Sequence, residues 1–416
     1  MNDWKQTQFG KEYDAFRQEL DDYYAAYPTD VSALEQELDE KSRLQPQAGA
    51  MEKKTWIYEL AAEKCRVKLF RHCPFYFEVD TGAPRNLAGS CFPPIPGLGS
   101  WLMRRDTSGL EQEFQNWIAP YVQEDALNST MYVDCAHHAM GVGNVLRYGL
   151  RGLQRQAQAR LQTETDVEKQ TFLRCVIRAE DAVMRLCARF ADEAERLRGT
   201  ERDPVVQARL ARIAISARRC PAEPAETFFE ALNTMLLLKE LGNGLESMGF
   251  AILGHVDRVL APYYARDVQL GRLTVAQAQE LVYWFCAMTD AKWDLSQALY
   301  GTNTAMSIGG CDENGTPVFN DITRWVLQCY LDCGLINPKV QARFAPDAPE
   351  EYYQLVAQLA ASGRNVLSVF NDRTIIAAQM RMGKQEADAR LYLNGGCQGV
   401  VLLSTAWRMI MLRVWP

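Results

Sequence analysis

The stretch "TAMSIGGCDENGTPVFNDITRWVLQCYLDCGLINPKVQARF", Thr304 to Phe344, changes its periodicity twice. "TAMSIGG" is short, apolar and closed by paired glycines, which reads as a strand running into the turn "CDENGTPV". Residues 320–333 then read as a helix, and "PKVQARF" returns to a strand-like run. The alternation continues downstream through a helix at 349–362, a strand-like "NVLSVFND" and a helix at 372–381. Upstream it includes helices at 224–241 and 256–267 on either side of the strand-like "MGFAILG". The helix in "GRLTVAQAQELVYWFCAMTDAKW" opens on Thr274 with Gln277 three residues on, a capping box. Strand and helix alternating in units of about 30 residues predict a parallel α/β architecture of the barrel kind, with its chemistry on loops beyond strand ends.

Before this region the chain is helical. The first 60 residues read as helices with polar faces and a break at "QPQAG". Residues 71–99 shift to Pro, Gly and aromatic residues, a loop with a short strand at "FYFEV". The run from "RYGLRGLQRQAQARL" as far as "ERLRG" forms one long amphipathic helix or two. Pro224 and Glu226 are placed to start the next helix.

Composition narrows the function classes. The chain has 416 residues, 48% hydrophobic and 23% charged, with a formal net charge of -7, so it can bury a large core. No dense Lys/Arg run is present, which argues against nucleic acid or a membrane surface as partner and for small molecules or proteins. The N-terminus is charged from its third residue and lacks the apolar core of a secretory signal. Apolar stretches break well before the roughly 18 residues that a membrane span needs. The twelve cysteines are scattered without CxxC spacing, in keeping with a reducing cytoplasm. The closest pair, Cys329 and Cys333, has no histidine nearby to complete a zinc site, so no metal is expected.

Four places offer chemistry. "YLNGGCQGVVL", Tyr392 to Leu402, sets Cys397 among glycines that allow close backbone approach; it reads either as a reactive thiol or as a buried cysteine in a turn. No base stands beside it, so papain-like thiolate chemistry is not favoured. His137 and His138, two of four histidines, precede a glycine-containing helix entry and suit either substrate hydrogen bonding or a structural cap. Asn303 and Thr304 stand before a strand. Phe370 and Asn371 end another, where Asn371 either caps the following helix or meets substrate. "GNGLESMGF" lacks both GxGxxG spacing and a GKS/T ending, so no nucleotide site is expected.

Several motifs occur together and in order: "RRCPAEPAETFFEALNTM", "HHAMGVGNVLRYGL", "HVDRVLAPYYARDVQLGRLTVAQAQELV", "GGCDENGTPVFNDIT", "NVLSVFNDRTII" and "GGCQG". Together they resemble the glycyl radical enzymes, the pyruvate formate-lyase-like superfamily, from about His72 to Cys397. The resemblance implies the N-terminal portion of a ten-stranded α/β barrel with many surrounding helices. It implies that Cys397 is the catalytic cysteine of the central loop. In the family a glycyl radical, made by a radical S-adenosylmethionine activating enzyme, oxidises this cysteine to a thiyl radical that abstracts a substrate hydrogen. Such chemistry needs a dry, anaerobic cavity rather than a thiolate-forming base. On this reading His137, His138, Asn303, Phe370 and Asn371 attend the substrate.

Two departures shape the expectation. Lyases of the family usually read Gly-Cys-x-Glu, and the matching position here is Gly399. The segment "LLSTAWRMIMLRVWP" matches no radical loop, so residues 1–416 are expected to form an incomplete barrel domain without the glycyl radical domain. The expected activity is a dehydratase- or decarboxylase-type lysis of a small organic substrate, absent from the isolated chain. The alternatives are a non-catalytic remnant and a barrel subunit completed in trans. Formate acetyltransfer is disfavoured, because Cys397 has no adjacent second cysteine. Met248, Phe250, Ala251 and Ile252 stand where dehydratases often carry polar residues, which points to a substrate with an apolar portion. A homodimer is admitted, and unpaired strand edges are expected to make the chain associate.

Overall fold

The computed structural model describes residues 4–26, 29–83, 97–105, 116–117, 119–120, 136–246, 250–292, 304–395 and 400–402. Three N-terminal helices, α1 (Gln8–Ala25), α2 (Ser32–Leu44) and α3 (Ala50–Lys64), form where the sequence predicts helix, and the break falls at Gln45 to Gly49. Thr7 caps α1 by accepting from the Gly10 N–H. The helix buries Phe9, Tyr13, Phe16 and Leu20, a stripe at spacings of three and four. Phe9 and Phe16 meet the Trp284 ring edge-on at 5.0 and 5.7 Å, which docks the N-terminus onto the body of the protein.

The strand expected at "FYFEV" is shorter, β1 (Val67–Lys68) pairing antiparallel with β2 (Glu78–Val79). The reason lies one step upstream. The Asn233 carboxamide bonds both the Tyr76 N–H and the Tyr76 carbonyl at 3.0 Å, replacing a neighbouring strand. The long amphipathic run forms two helices, α4 (Val142–Thr163) and α5 (Val167–Arg198), because Asp166 accepts from the Glu168 and Lys169 N–H groups and starts a new helix. Next come α6 (Pro204–Arg219) and α7 (Phe228–Glu246).

Five strands make one sheet: β3 (Ala136–Ala139), β4 (Phe250–His255), β5 (Ala305–Gly309), β6 (Lys339–Phe344) and β7 (Leu367–Asn371). They lie in chain order and every neighbouring pair is parallel. The crossovers are α8 (Val256–Gln269) and α9 (Val275–Ala291) between β4 and β5, α10 (Asp321–Cys333) before β6, and α11 (Glu350–Ala361) before β7. The capping box at Thr274 and Gln277 forms as the sequence predicts. β3 was not legible as a strand: "AHHA" carries no apolar alternation and is held by pairing with β4.

The sheet has two chemically different faces. Met306, Ile308, Val340 and Ala342 belong to the main core, which runs into the helices. The alternate positions carry Ser307, Gln341 and Arg343, all fully buried. Polar groups on that face need partners, and a second structure supplies them. After β7 come α12 (Asp372–Arg381) and α13 (Glu386–Arg390), then β8 (Tyr392–Asn394), which pairs antiparallel with β9 (Val400–Leu402) and lies against β4 and β5.

Candidate active site

The β8–β9 hairpin is anchored by one buried ion pair. Arg343, from β6, points to the hairpin face and is paired bidentately with Asp372, Nε to Oδ1 at 3.0 Å and Nη2 to Oδ2 at 2.9 Å. Both side chains are buried, 0% and 1% exposed. Burial opposes the Arg343 charge, but the Asp372 carboxylate outweighs it and holds the guanidinium pKa above its ordinary value. Asp372 is also the first residue of α12, where the helix dipole favours a negative charge. The remaining donors of Arg343 reach the hairpin: Nη2 donates to the Arg390 carbonyl at 2.8 Å and Nη1 to the Tyr392 carbonyl at 3.3 Å. The guanidinium lies 4.0 Å from the Tyr392 ring centroid, and the Tyr392 hydroxyl donates to Asp372 Oδ1 at 2.7 Å.

His255, at the end of β4, completes the clamp. Burial, and after it the charges of Arg343 and Arg258, push its pKa well below the ordinary value, so the ring is neutral. Its Nε2 lies 3.0 Å from the Tyr392 carbonyl oxygen and 3.1 Å from Arg343 Nη1, so the ring packs between the guanidinium and the hairpin backbone. Deeper along the hairpin, Ser307 Oγ donates to Gln341 Oε1 at 3.1 Å, and Gln341 Nε2 donates to the Gly395 carbonyl at 3.0 Å. The hairpin therefore enters at the C-terminal ends of the strands and runs antiparallel to them along the polar face.

Glycine makes the clamp sterically possible. Gly310 has φ +71°, and a Cβ there would stand 2.8 Å from both the Arg343 guanidinium and Asp372 Oδ2. Read from sequence, Gly309 and Gly310 belong to a structural turn; their contacts show that the turn also houses the ion pair. Gly309 N–H donates to Asp257 Oδ2 at 2.7 Å, and the same oxygen accepts from Thr323 Oγ1 at 2.9 Å, tying β5 to α8 and α10. Burial pushes the Asp257 pKa up to about 6. A cavity of about 270 Å³ opens between the ends of β3 and β4 and the hairpin, lined in part by Ala139, Ile252, His255, Arg258 and Leu393.

The candidates named from sequence are placed unevenly. Cys397 and Asn303 lie outside the described residues, as does Gly399; the described hairpin leads to Cys397 through Gly395. His137 and His138 lie in β3, with His138 in register with Ala251, and their side chains are outside the description, as are those of Met248, Phe250 and Ala251. Phe370 is half-buried and in register with Arg343, on the hairpin face of β7. Asn371 is exposed and caps α12, its Oδ1 accepting from the Thr374 N–H at 3.2 Å.

Sequence reading missed Arg343, Asp372, His255, Gln341 and Ser307. The available signal was polar alternation inside "KVQARF": Gln341 and Arg343 interleave with Val340 and Ala342 in a strand flanked by helices.

The pyruvate formate lyase-like family profile matches residues 101–414. The chain belongs to that family, the glycyl radical enzymes. Among relatives, it is 28% identical over 271 residues to an isethionate sulfite-lyase of Desulfovibrio desulfuricans, covering 61% of this chain and 32% of that one. It is 25% identical over 280 residues to the (2S)-3-sulfopropanediol dehydratase of Klebsiella oxytoca, covering 64% of this chain and 34% of that one. The matched part of the chain thus spans about a third of the length of these relatives. The solved hydroxyproline dehydratase of Clostridioides difficile, with trans-4-hydroxy-L-proline bound, superposes with a TM-score of 0.75 at 18% identity, covering 93% of this chain and 54% of that one. A glycyl radical enzyme from Archaeoglobus fulgidus gives a TM-score of 0.72 at 20% identity, covering 95% and 55%. The parallel sheet is accordingly part of a glycyl radical enzyme barrel, and the hairpin lies on its inner, polar face. The relatives place the family's chemistry among lyases.

Proposed function

We propose that this chain supplies the barrel and the hydrogen-abstracting cysteine of a glycyl-radical-type lyase, with Cys397 as the thiyl site and a small organic molecule as substrate. The observation that carries the reading is the clamp: a hairpin leading to Cys397 is anchored inside the barrel by a buried ion pair, a neutral histidine and a glutamine. Hydrogen-atom transfer demands positioning above all. The thiyl sulfur takes a hydrogen atom from a substrate carbon, forming S–H and leaving a carbon radical; the hydrogen is returned after the substrate has lost its leaving group. No thiolate is needed, which suits a site whose arginine is already committed to a carboxylate. The family's radical source is a glycine activated by a radical S-adenosylmethionine enzyme. His137, His138, Asn303 and Phe370 are proposed to border the substrate.

Relatives 25–28% identical, a sulfite-lyase and two dehydratases, support elimination over decarboxylation, the activity of a relative that is 20% identical. Gly399 stands where such enzymes usually carry a glutamate base, so proton removal has to come from another group in this protein. The test is anaerobic turnover of isethionate and of 1,2-propanediol by the chain supplied with an activating enzyme and a glycyl radical domain in trans. Turnover by the native sequence that is abolished in Cys397→Ser, with unchanged melting, is the expected result. Turnover that survives Cys397→Ser overturns the role of that cysteine.

A further inference from the structure

Asn394 is fully buried, and neither its Oδ1 nor its Nδ2 has a hydrogen-bond partner. Among the buried carboxamides of the described residues it alone leaves both polar side-chain atoms unpaired. Its surroundings make this conspicuous. Tyr392, two residues before, is bonded through both its hydroxyl and its carbonyl, and the Gly395 carbonyl accepts from Gln341. A buried donor or acceptor left unpaired is costly to the fold, so a carboxamide with two such atoms is a place where a partner is missing.

We propose that the Asn394 carboxamide binds the substrate. The backbone fixes where it works. β8 alternates, so Asn394 shares the face of Tyr392, whose hydroxyl reaches Asp372; Leu393 takes the other face and packs on Ala139 and Ile252. Asn394 is three residues before Cys397, at most about 10 Å of extended chain, within the span of a small molecule held at the thiol. A carboxamide offers an acceptor and a donor side by side. Its complement is a compound with a hydroxyl to donate to Oδ1 and a second oxygen, on a neighbouring carbon, to accept from Nδ2. The hairpin thereby contributes a selecting group as well as the reacting one.

This inference rests on Cys397 as the reacting thiol, but its test requires no radical. Binding of isethionate, 1,2-propanediol, glycerol and trans-4-hydroxy-L-proline to the full, unactivated chain is measured by calorimetry, with melting followed in parallel, for the native sequence, Asn394→Leu and Asn394→Ala. The expected result is binding of at least one probe by the native chain, weakened tenfold or more in both variants, with the unliganded Asn394→Leu chain melting no lower than the native one. A leucine removes the unpaired amide at similar volume, so a merely structural asparagine predicts the opposite: lower melting and unaltered binding. Unaltered binding, a drop of several degrees in both variants, or no binding of any probe by the native chain overturns the proposal. None of these outcomes bears on Cys397, whose test is the turnover of Cys397→Ser.

Discussion

The pair Arg343 and Asp372 shows how one buried contact fixes a loop. Replacing only Arg343, as in Arg343→Met, leaves a carboxylate in a site where both partners are at most 1% exposed. A cost of about 3–5 kcal/mol is expected, read as a lower urea midpoint. The double variant Arg343→Met with Asp372→Asn should recover part of that loss, because the second change removes the stranded charge. Gly310→Ala acts on the same pair from the backbone side. With φ at +71° and 2.8 Å left to the guanidinium, alanine incurs strain of at least about 1 kcal/mol and forces the ion pair to shift. A Gly310→Ala chain as stable as the native one in urea contradicts this reading.

The hairpin depends on strands β4 and β6 and the start of α12, and its anchoring carries a pH dependence through His255. Folding holds the His255 pKa well below its ordinary 6.5, so below that pH the unfolded chain takes up a proton that the folded ring refuses. Stability from this group is present above about pH 6.5 and is lost as pH falls, by up to about 1.4 kcal/mol per pH unit. His255→Gln offers, through its carboxamide, both a donor and an acceptor to the Tyr392 carbonyl and Arg343, and removes the titration. Its loss of stability between pH 7 and pH 5 should be shallower than that of the native chain in urea titrations at each pH. Equal slopes would place the titration elsewhere.

Across the whole molecule, the sheet ends at β7 among the described residues, and Val369 on that strand is 59% exposed. An apolar residue on an unpaired strand edge invites pairing with a second molecule. Val369→Lys should reduce concentration-dependent light scattering of the chain without lowering its melting temperature. Scattering that is unchanged would locate the association on another surface. No helix among the described residues is long and apolar enough to cross a membrane.

Local signals sufficed for the framework. The strand-helix alternation from β4 to α12, the capping box at Thr274 and the cap at Asn371 depend on neighbours within a few residues, and such signals survive in a linear reading. β3 did not, because its four residues become a strand only by pairing with β4, more than a hundred positions away. The clamp was equally silent: Arg343 meets Asp372 across 29 residues and His255 across 88. In sequence each is an ordinary polar residue near a strand end. What the sequence alone determined was the α/β alternation and, by resemblance, the family, from which the proposal for Cys397 comes. Which polar groups are buried together, and that Asn394 is buried with none, was decided by tertiary structure, since burial is a property of the assembled sheet and hairpin rather than of any one segment.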